Sequence, residues 1–321
     1  MKKFLAILLA AMLLLSVGAV AVADEEKVAS LKKNVSVVGD GASLPAETFA
    51  FTAACEKVEN GAVGVTTGPA ITLGTAVYTE GDSGEKDVAI TLPDAAAFGG
   101  VGEYYYKIKE TAGTTAGMDY DDNTYILKVA VVNGDNGGLK IAGSVLLKDT
   151  TKVKTDTITN TYSAGKLAIS KTVAGDLADT GKYFAFKVKL EAPTGKTVNS
   201  TIVLSDTSYE SQPSSIAIGT ETIFYLKNDE TLTFSNLPAG VTYTVTETAD
   251  GRYTTTVNGA EDNTASGTIA ANETSTAAYV NTVKATVDTG ITTDSLPYVM
   301  LLGFVLLAGA ALIIKRRVAH N

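Results

Sequence analysis

The chain has 321 residues, 45% hydrophobic and 19% charged, a composition that suits folded domains and excludes a disordered chain. Its single Cys, Cys55, allows no disulfide within the chain, and its single His, His320, is the second-last residue, which excludes a His/Cys zinc site and a Ser-His-Asp or Cys-His catalytic machine. With 26 basic against 35 acidic residues the net charge is −9, the wrong sign for a nucleic-acid binder.

Residues 1–23 read as a secretory signal: basic Lys2 and Lys3, an apolar run over 4–15, and the small-residue cleavage site Ala21-Val22-Ala23. The run is short for a membrane span, so the mature chain is expected to begin at Asp24. From there to about residue 284 the chain is rich in Thr, Val, Ala and Gly in short alternating runs. Turn clusters punctuate them: Gly39-Asp40-Gly41, the glycine-rich stretch from Asn133 to Gly138, and Asn258-Gly259. This pattern predicts an all-β chain of two tandem Ig-like β-sandwich domains, at 24–163 and 164–284, with the boundary near Ser163-Ala164-Gly165. No long 3.6-residue period occurs between the two ends.

Side chains two apart on a strand share a face. In chain order, Leu31, Lys33, Val35 and Val37 then line up, against Lys32, Asn34 and Ser36. Cys55 shares parity with Phe49 and Phe51 and reads as a small buried residue, with pairing between molecules as the alternative. Tyr104, Tyr106, Ile108 and Glu110 share a face, and so do Ile158, Asn160 and Tyr162. The series then repeats: Leu167, Ile169, Lys171 and Val173; Val241, Tyr243, Val245 and Glu247; Tyr279, Asn281 and Val283. Each domain thus places one Lys, one Glu and one Asn, in that order, on its apolar face. Burying a charge whose partner is missing costs about 3–5 kcal/mol. Two plain explanations stand beside a functional one. The charges escape to water at strand ends, or Lys and Glu form a buried ion pair bridged by the Asn amide.

The trio also has a chemistry. Burial disfavours the charged form of Lys, and neutral Nζ is a nucleophile. A carboxyl in the same setting is pushed toward its protonated form, from which it can hydrogen-bond the Asn carbonyl, polarise it and relay protons to departing ammonia. The product is an amide between Lys Nζ and Asn Cγ, formed once, with the protein as its own substrate. Lys33–Asn160 and Lys171–Asn281 are the expected cross-links, with Glu110 and Glu247 as proton relays. No metal or cofactor motif and no glycine-rich phosphate loop is present, so an enzyme acting on outside substrates is not expected.

At the C-terminus, residues 285–321 carry Val287-Asp288-Thr289-Gly290, an uncharged apolar run over 296–314 long enough to span a bilayer, and Lys315-Arg316-Arg317, which keeps that end in the cytoplasm. A plain tail anchor is one reading. The Thr-Gly step, apolar span and basic tail also resemble a Gram-positive cell-wall sorting signal, in which the transpeptidase sortase cuts between Thr and Gly; Asp288 stands where that signal usually has Pro. Without 1–23 and 290–321 the chain loses Lys2, Lys3, Lys315, Arg316, Arg317 and Asp294, which leaves 21 basic and 34 acidic residues, a net of −13 and no His.

The opening Leu-x-Ile-x-Lys-x-Val from Leu167 to Val173, the Leu-Pro-x-Gly-x-x-Tyr-x-Val-x-Glu from Leu237 to Glu247 and the Tyr-x-Asn from Tyr279 to Asn281 resemble the isopeptide-forming, CnaB-type domains of Gram-positive surface proteins. The whole order of segments is similar to a two-domain streptococcal backbone pilin of the T-antigen type. In the first domain Lys32 adjoins Lys33, and Gly99-Gly100-Val101-Gly102 replaces the Leu-Pro-x-Gly turn. The resemblance implies a wall-attached, covalent filament. A class B/C-type pilin sortase would cut between Thr289 and Gly290 and join Thr289 to a lysine of the next copy. Lys148, Lys152 and Lys154 lie in the implied region; Lys152 is preferred and Lys154 is the runner-up. Minor or tip pilins, peptidoglycan and a host surface ligand are the other implied partners. The alternative is a monomeric wall-anchored adhesin or ancillary pilin with the same domains.

Overall fold

The computed structural model describes residues 29–134 and 137–284. The expected signal at 1–23, Thr289, Gly290, the span at 296–314 and the basic tail lie outside them. Among the described residues no helix is long and apolar enough to cross a membrane.

The first part of the chain forms β1 (Leu31–Val38), β2 (Glu47–Phe49), β3 (Phe51–Glu59), β4 (Thr72–Leu73), β5 (Ala76–Tyr78), β6 (Gly84–Val88), β7 (Ile90–Thr91), β8 (Gly102–Glu110), β9 (Met118–Asp119), β10 (Tyr125–Asn133) and β11 (Leu139–Lys148). A long strand β12 (Thr157–Ala174) follows. Then come β13 (Phe184–Glu191), β14 (Val203–Leu204), β15 (Thr222–Leu226), β16 (Glu230–Pro238), β17 (Thr242–Glu247), β18 (Tyr253–Val257), β19 (Thr264–Thr268) and β20 (Thr274–Val283). The chain is all-β, with one short 3-10 turn at Ala95–Phe98 among the described residues.

The alternating sequence explains the layering. One sheet runs the length of the described chain, in the order β14-β16-β12-β1-β6, with β20 and β9 joined to it through β12 and β18 through β20. Its first half faces the sheet β11-β10-β8-β3, and its second half faces β15-β13-β17-β19. Between the first pair lie Leu31, Val35, Ile158 and Tyr162 against Tyr104, Tyr106, Ile108, Leu127 and Val129. Between the second lie Leu167, Ile169, Phe234 and Ala277 against Phe186, Val188, Phe224 and Val245. Every one of these is under 2% exposed, which is where period-two alternation places the apolar face of a two-layer sheet.

Three turns match their residues. Gly39 and Gly41 take positive φ around Asp40, and the N–H of Ala42 returns to the Gly39 carbonyl. Asn133 and Leu139 face each other across the β10–β11 hairpin. Asn258 and Gly259, at φ 50° and 85°, close a two-residue turn between Val257 and Ala260, the left-handed pair for which Asn-Gly is suited.

Two features add to the sequence reading. First, the run from Phe49 to Cys55 is not one strand. Ala50 separates β2, which pairs β5, from β3, which pairs β8. Parity nonetheless holds across it: Phe49 is buried and Phe51, Ala53 and Cys55 are half-buried against the same core, while Ala50, Thr52 and Ala54 are exposed, and the Cys55 Sγ accepts a hydrogen bond from the Gly68 N–H at 3.1 Å. Second, Ser163-Ala164-Gly165, where one core gives way to the other, is itself strand. It lies inside β12, which passes without interruption from one core to the other.

Gly165 is what lets the strand continue. A Cβ there would stand 2.3 Å from the Ala270 carbonyl oxygen and 2.8 Å from that of Glu273, because the turn before β20 crosses the strand at this point. That crossing is held by hydrogen bonds from the Asn272 N–H to the Ala164 carbonyl and from the Lys166 N–H to the Glu273 carbonyl. Gly165→Ala is expected to cost about 1–3 kcal/mol through forced backbone displacement. A thermal melt of the variant checks this, and an unchanged midpoint counts against the crowding.

Candidate functional site

The six polar residues of the two trios assemble into two buried centres. In the first, Lys33 stands on β1 and Asn160 on β12, its parallel neighbour, while Glu110 ends β8 in the facing sheet. Lys33 lies opposite Ile158 and Val35 opposite Asn160, so Lys and Asn are offset by two residues and share a face. In the second, Lys171 on β12 lies opposite Tyr279 and Val173 opposite Asn281 on the parallel β20, while Glu247 ends β17. The two-residue offset is the same.

The contacts follow one plan. Lys33 Nζ donates to Glu110 Oε2 at 2.8 Å, and Asn160 Nδ2 donates to Glu110 Oε1 at 2.5 Å. Lys171 Nζ donates to both oxygens of Glu247 at 3.0 and 2.9 Å, and Asn281 Nδ2 donates to Glu247 Oε1 at 2.5 Å. The lysine side chains are 0% exposed and the glutamate side chains 1%. Escape of the charges to water at strand ends is therefore ruled out.

Burial sets the electrostatics. Desolvation lowers the Lys33 pKa, against the opposing hydrogen bond and charge of Glu110. Desolvation likewise raises the pKa of Glu110, against its bonds from Lys33 and Asn160. Lys171 is lowered to about 8 by desolvation, against Glu247. Both shifts in the first centre favour the uncharged pair, an amine beside a carboxylic acid. That is the protonation state in which a lysine can attack.

An aromatic ring lies close to each lysine. Lys33 Nζ is 4.9 Å from the Phe49 ring centroid, and Lys171 Nζ is 4.3 Å from that of Phe184. Both belong to a Phe-Ala-Phe run, 49–51 and 184–186, a second internal repeat that a search for polar trios passes over. The rings supply part of the apolar setting that desolvates the amines.

The carboxyl groups do not meet the Asn carbonyls, contrary to the expectation from sequence. Each contacts the amide nitrogen instead. In the first centre the carbonyl oxygen, Asn160 Oδ1, accepts a hydrogen bond from the main-chain N–H of Asp121 at 2.8 Å. That donor fixes the orientation of the carboxamide, since an N–H can face only the oxygen. In the second centre Asn281 Oδ1 is buried and has no hydrogen-bond partner. Asp121 was legible only as half of an Asp-Asp pair in a turn; its neighbour Asn123, which makes an Asp-x-Asn turn, was the available signal.

The candidate acceptor lysines lie away from both centres. Lys152 occupies the turn between β11 and β12 at φ 55°, its side chain 67% exposed and paired with Asp149. Lys154 is exposed and bridges to Leu147, and Lys148 ends β11 half-buried. Among the described residues no group of three or more His, Cys, Asp or Glu side chains could hold a metal ion.

Comparison with known proteins gives the following. Residues 29–163 match the family described as Spy0128-like isopeptide containing domain, and residues 165–283 match a domain family of unknown function, DUF7601. A pilin of Streptococcus pyogenes serotype M1 is 27% identical over 308 residues, which is 90% of each chain. The pilus tip adhesin Cpa of Streptococcus pyogenes is 35% identical over 130 residues, covering 40% of this chain and 18% of that protein. The crystal structure of the major pilin from Streptococcus pyogenes superposes with a TM-score of 0.54 at 25% identity, over 79% of this chain and 98% of that one. Residues 29–163 therefore form a Spy0128-like isopeptide containing domain, and over most of its length the chain is similar to the streptococcal major pilins.

Proposed function

We propose that this protein is the shaft subunit of a surface pilus, built from two self-locking domains and polymerised by a sortase through Thr289. In each centre the neutral lysine attacks Asn Cγ, the glutamate carries a proton from Nζ to Nδ2, and ammonia leaves, so that the strands become joined by an isopeptide bond. The reaction runs once per centre, and the protein is not an enzyme for other substrates.

The observation that carries this reading is the recurrence, in both cores, of one Lys-Glu-Asn geometry on neighbouring parallel strands with the same two-residue offset. An ordinary buried ion pair has no need of a third residue at a repeated register. Placement explains the purpose. β1 enters the first core and β12 leaves it; β12 enters the second and β20 leaves it. Two bonds at these positions make a covalent path from Lys33 through residues 160–171 to Asn281. Tension along the filament then bypasses strand hydrogen bonds worth about 1 kcal/mol each.

Outside the cell and attached to the wall, each copy would accept the Thr289 carbonyl of another on an exposed lysine, Lys152 by preference and Lys154 otherwise. Exposure of the Lys152 side chain supports this choice. Blotted wall extracts of the producing strain are expected to show a ladder of covalent multimers, which Thr289→Ala collapses to one band. A single band from the unaltered protein would overturn the shaft reading in favour of a monomeric wall-anchored adhesin.

A further inference from the structure

The two centres share their lysine, glutamate and asparagine but differ at one atom. Asn160 Oδ1 accepts a main-chain hydrogen bond, and Asn281 Oδ1 accepts none. We propose that the main-chain N–H of Asp121 is an oxyanion donor for the first cross-link, held in place by the Asp121 carboxylate, and that the second centre works without one. This rests on the cross-linking reaction proposed above and adds a catalytic group to it.

The geometry of the loop supports the assignment. Asp121 lies in the short connection between β9 and β10, 39 residues from Asn160 in sequence. Its side chain folds back on its own loop. Oδ1 accepts from the Asn123 N–H and from Asn123 Nδ2, both at 2.7 Å, and Oδ2 accepts from the Tyr125 hydroxyl at 2.6 Å. Burial alone would raise the Asp121 pKa, but these bonds more than offset it and keep the group ionised below the usual carboxylate range. A charged anchor thus ties the loop at both carboxylate oxygens while the N–H points the other way, at the reacting carbonyl.

The step balances as follows. The Lys33 Nζ lone pair forms the N–C bond at Asn160 Cγ, and the carbonyl π pair moves onto Oδ1. The Asp121 N–H, already directed at that oxygen, stabilises the charge that develops there. Nζ gives a proton to Glu110 Oε2, and Glu110 delivers a proton from Oε1 to Nδ2. The C–Nδ2 bond then breaks as the carbonyl reforms, and ammonia departs. In the second centre Asn281 Oδ1 has no fixed donor, so the charge that develops there forms without a main-chain hydrogen bond.

Pulse-labelled full-length chain, digested at intervals after synthesis, reports both bonds in the same molecules through their branched peptides. The second bond is the internal reference. Loss of one oxyanion donor typically slows a reaction by about 100-fold or more. Asp121→Pro, which deletes the N–H, is expected to slow the Lys33–Asn160 bond by about that factor and leave the Lys171–Asn281 bond at its normal rate. Asp121→Ala, which keeps the N–H but frees the loop, is expected to slow the first bond less. Asp121→Asn, whose Oδ1 still accepts from Asn123 and whose Nδ2 can instead donate to the Tyr125 hydroxyl oxygen, should restore it toward the normal rate. Rescue by Asn separates anchoring of the donor from a general loss of packing, and it applies even if the Pro variant does not fold. An unaltered first-bond rate in Asp121→Ala, or no recovery in Asp121→Asn, overturns the proposal. Absence of both bonds from the unaltered chain would instead remove the cross-linking reaction on which it rests.

Discussion

Asn281→Ala is expected to lose one ammonia where the unaltered protein loses two, and to melt far earlier. Intact-mass measurement of residues 24–289 should find the unaltered chain lighter than its sequence by two ammonia molecules, and the variant lighter by one. The thermal effect follows from chain entropy. The Lys171–Asn281 bond closes a loop of about 110 residues, and a cross-link of that span is worth about 4.7 kcal/mol in the chain-entropy model. For a domain of this size that is a fall in midpoint on the order of 15–20 °C. Glu247→Ala also prevents the bond, but it additionally strands Lys171, which is 1% exposed and has Glu247 as its only acceptor among the described residues. An unpaired buried charge costs a further ~3–5 kcal/mol, so Glu247→Ala should be the less stable of the two. Equal mass deficits for the unaltered protein and Asn281→Ala, each measured against its own sequence, would remove Asn281 from its role. Equal midpoints for the two variants would argue against the buried pairing.

The second large effect is mechanical. Stretched between its ends, the unaltered protein should lengthen only by alignment, because residues 34–159 and 172–280 lie off the covalent path between Lys33 and Asn281. In Asn281→Ala the second core becomes part of that path. Its roughly 110 residues, at about 3.4 Å each, should then release a single extension step on the order of 350 Å of contour. Lys33→Ala should release a step of similar size from the first core, and the two steps should add in the double variant. Single-molecule stretching of a tethered chain measures this. An unfolding step of that length in the unaltered protein would show that the bonds do not carry the load.

Much of the architecture was readable residue by residue. Parity alone put Leu31, Lys33 and Val35 on one face, and it did the same for Tyr104, Tyr106 and Ile108 and for Val241, Tyr243, Val245 and Glu247. All but Tyr243, at 8% exposure, are under 2% exposed. This works because side-chain direction in a strand is set by the backbone, with no knowledge of the partner strand. Parity held even across a break in the strand: Ala50 divides the run from Phe49 to Cys55 between two sheets, yet Phe49, Phe51, Ala53 and Cys55 keep the inward side while Ala50, Thr52 and Ala54 stay exposed. The repeat placed a boundary near Ser163-Ala164-Gly165 but could not show that a strand carries the chain across it. There Gly165 serves close approach: two carbonyl oxygens crowd the place its Cβ would take, and β12 continues past it with a register shift against β16 between Gly165 and Leu167.

The sequence by itself determined that the protein has no disulfide or histidine chemistry to draw on, that its folded part is a repeated β plan, and that one Lys, one Glu and one Asn fall on the apolar side of each copy. Composition and two-residue alternation are local quantities, and a single chain carries them in full. Only the tertiary structure decided that lysine and asparagine stand on adjacent parallel strands, that a phenylalanine ring flanks each amine, and that the carboxyl meets the amide nitrogen. It also decided that the two centres are unequal, since Asp121 reaches Asn160 across 39 residues and nothing corresponds to it at Asn281. A hydrogen bond depends on distances of a few tenths of an ångström between segments far apart in the chain. Such distances are set by how the sheets pack, and no period in the sequence encodes them.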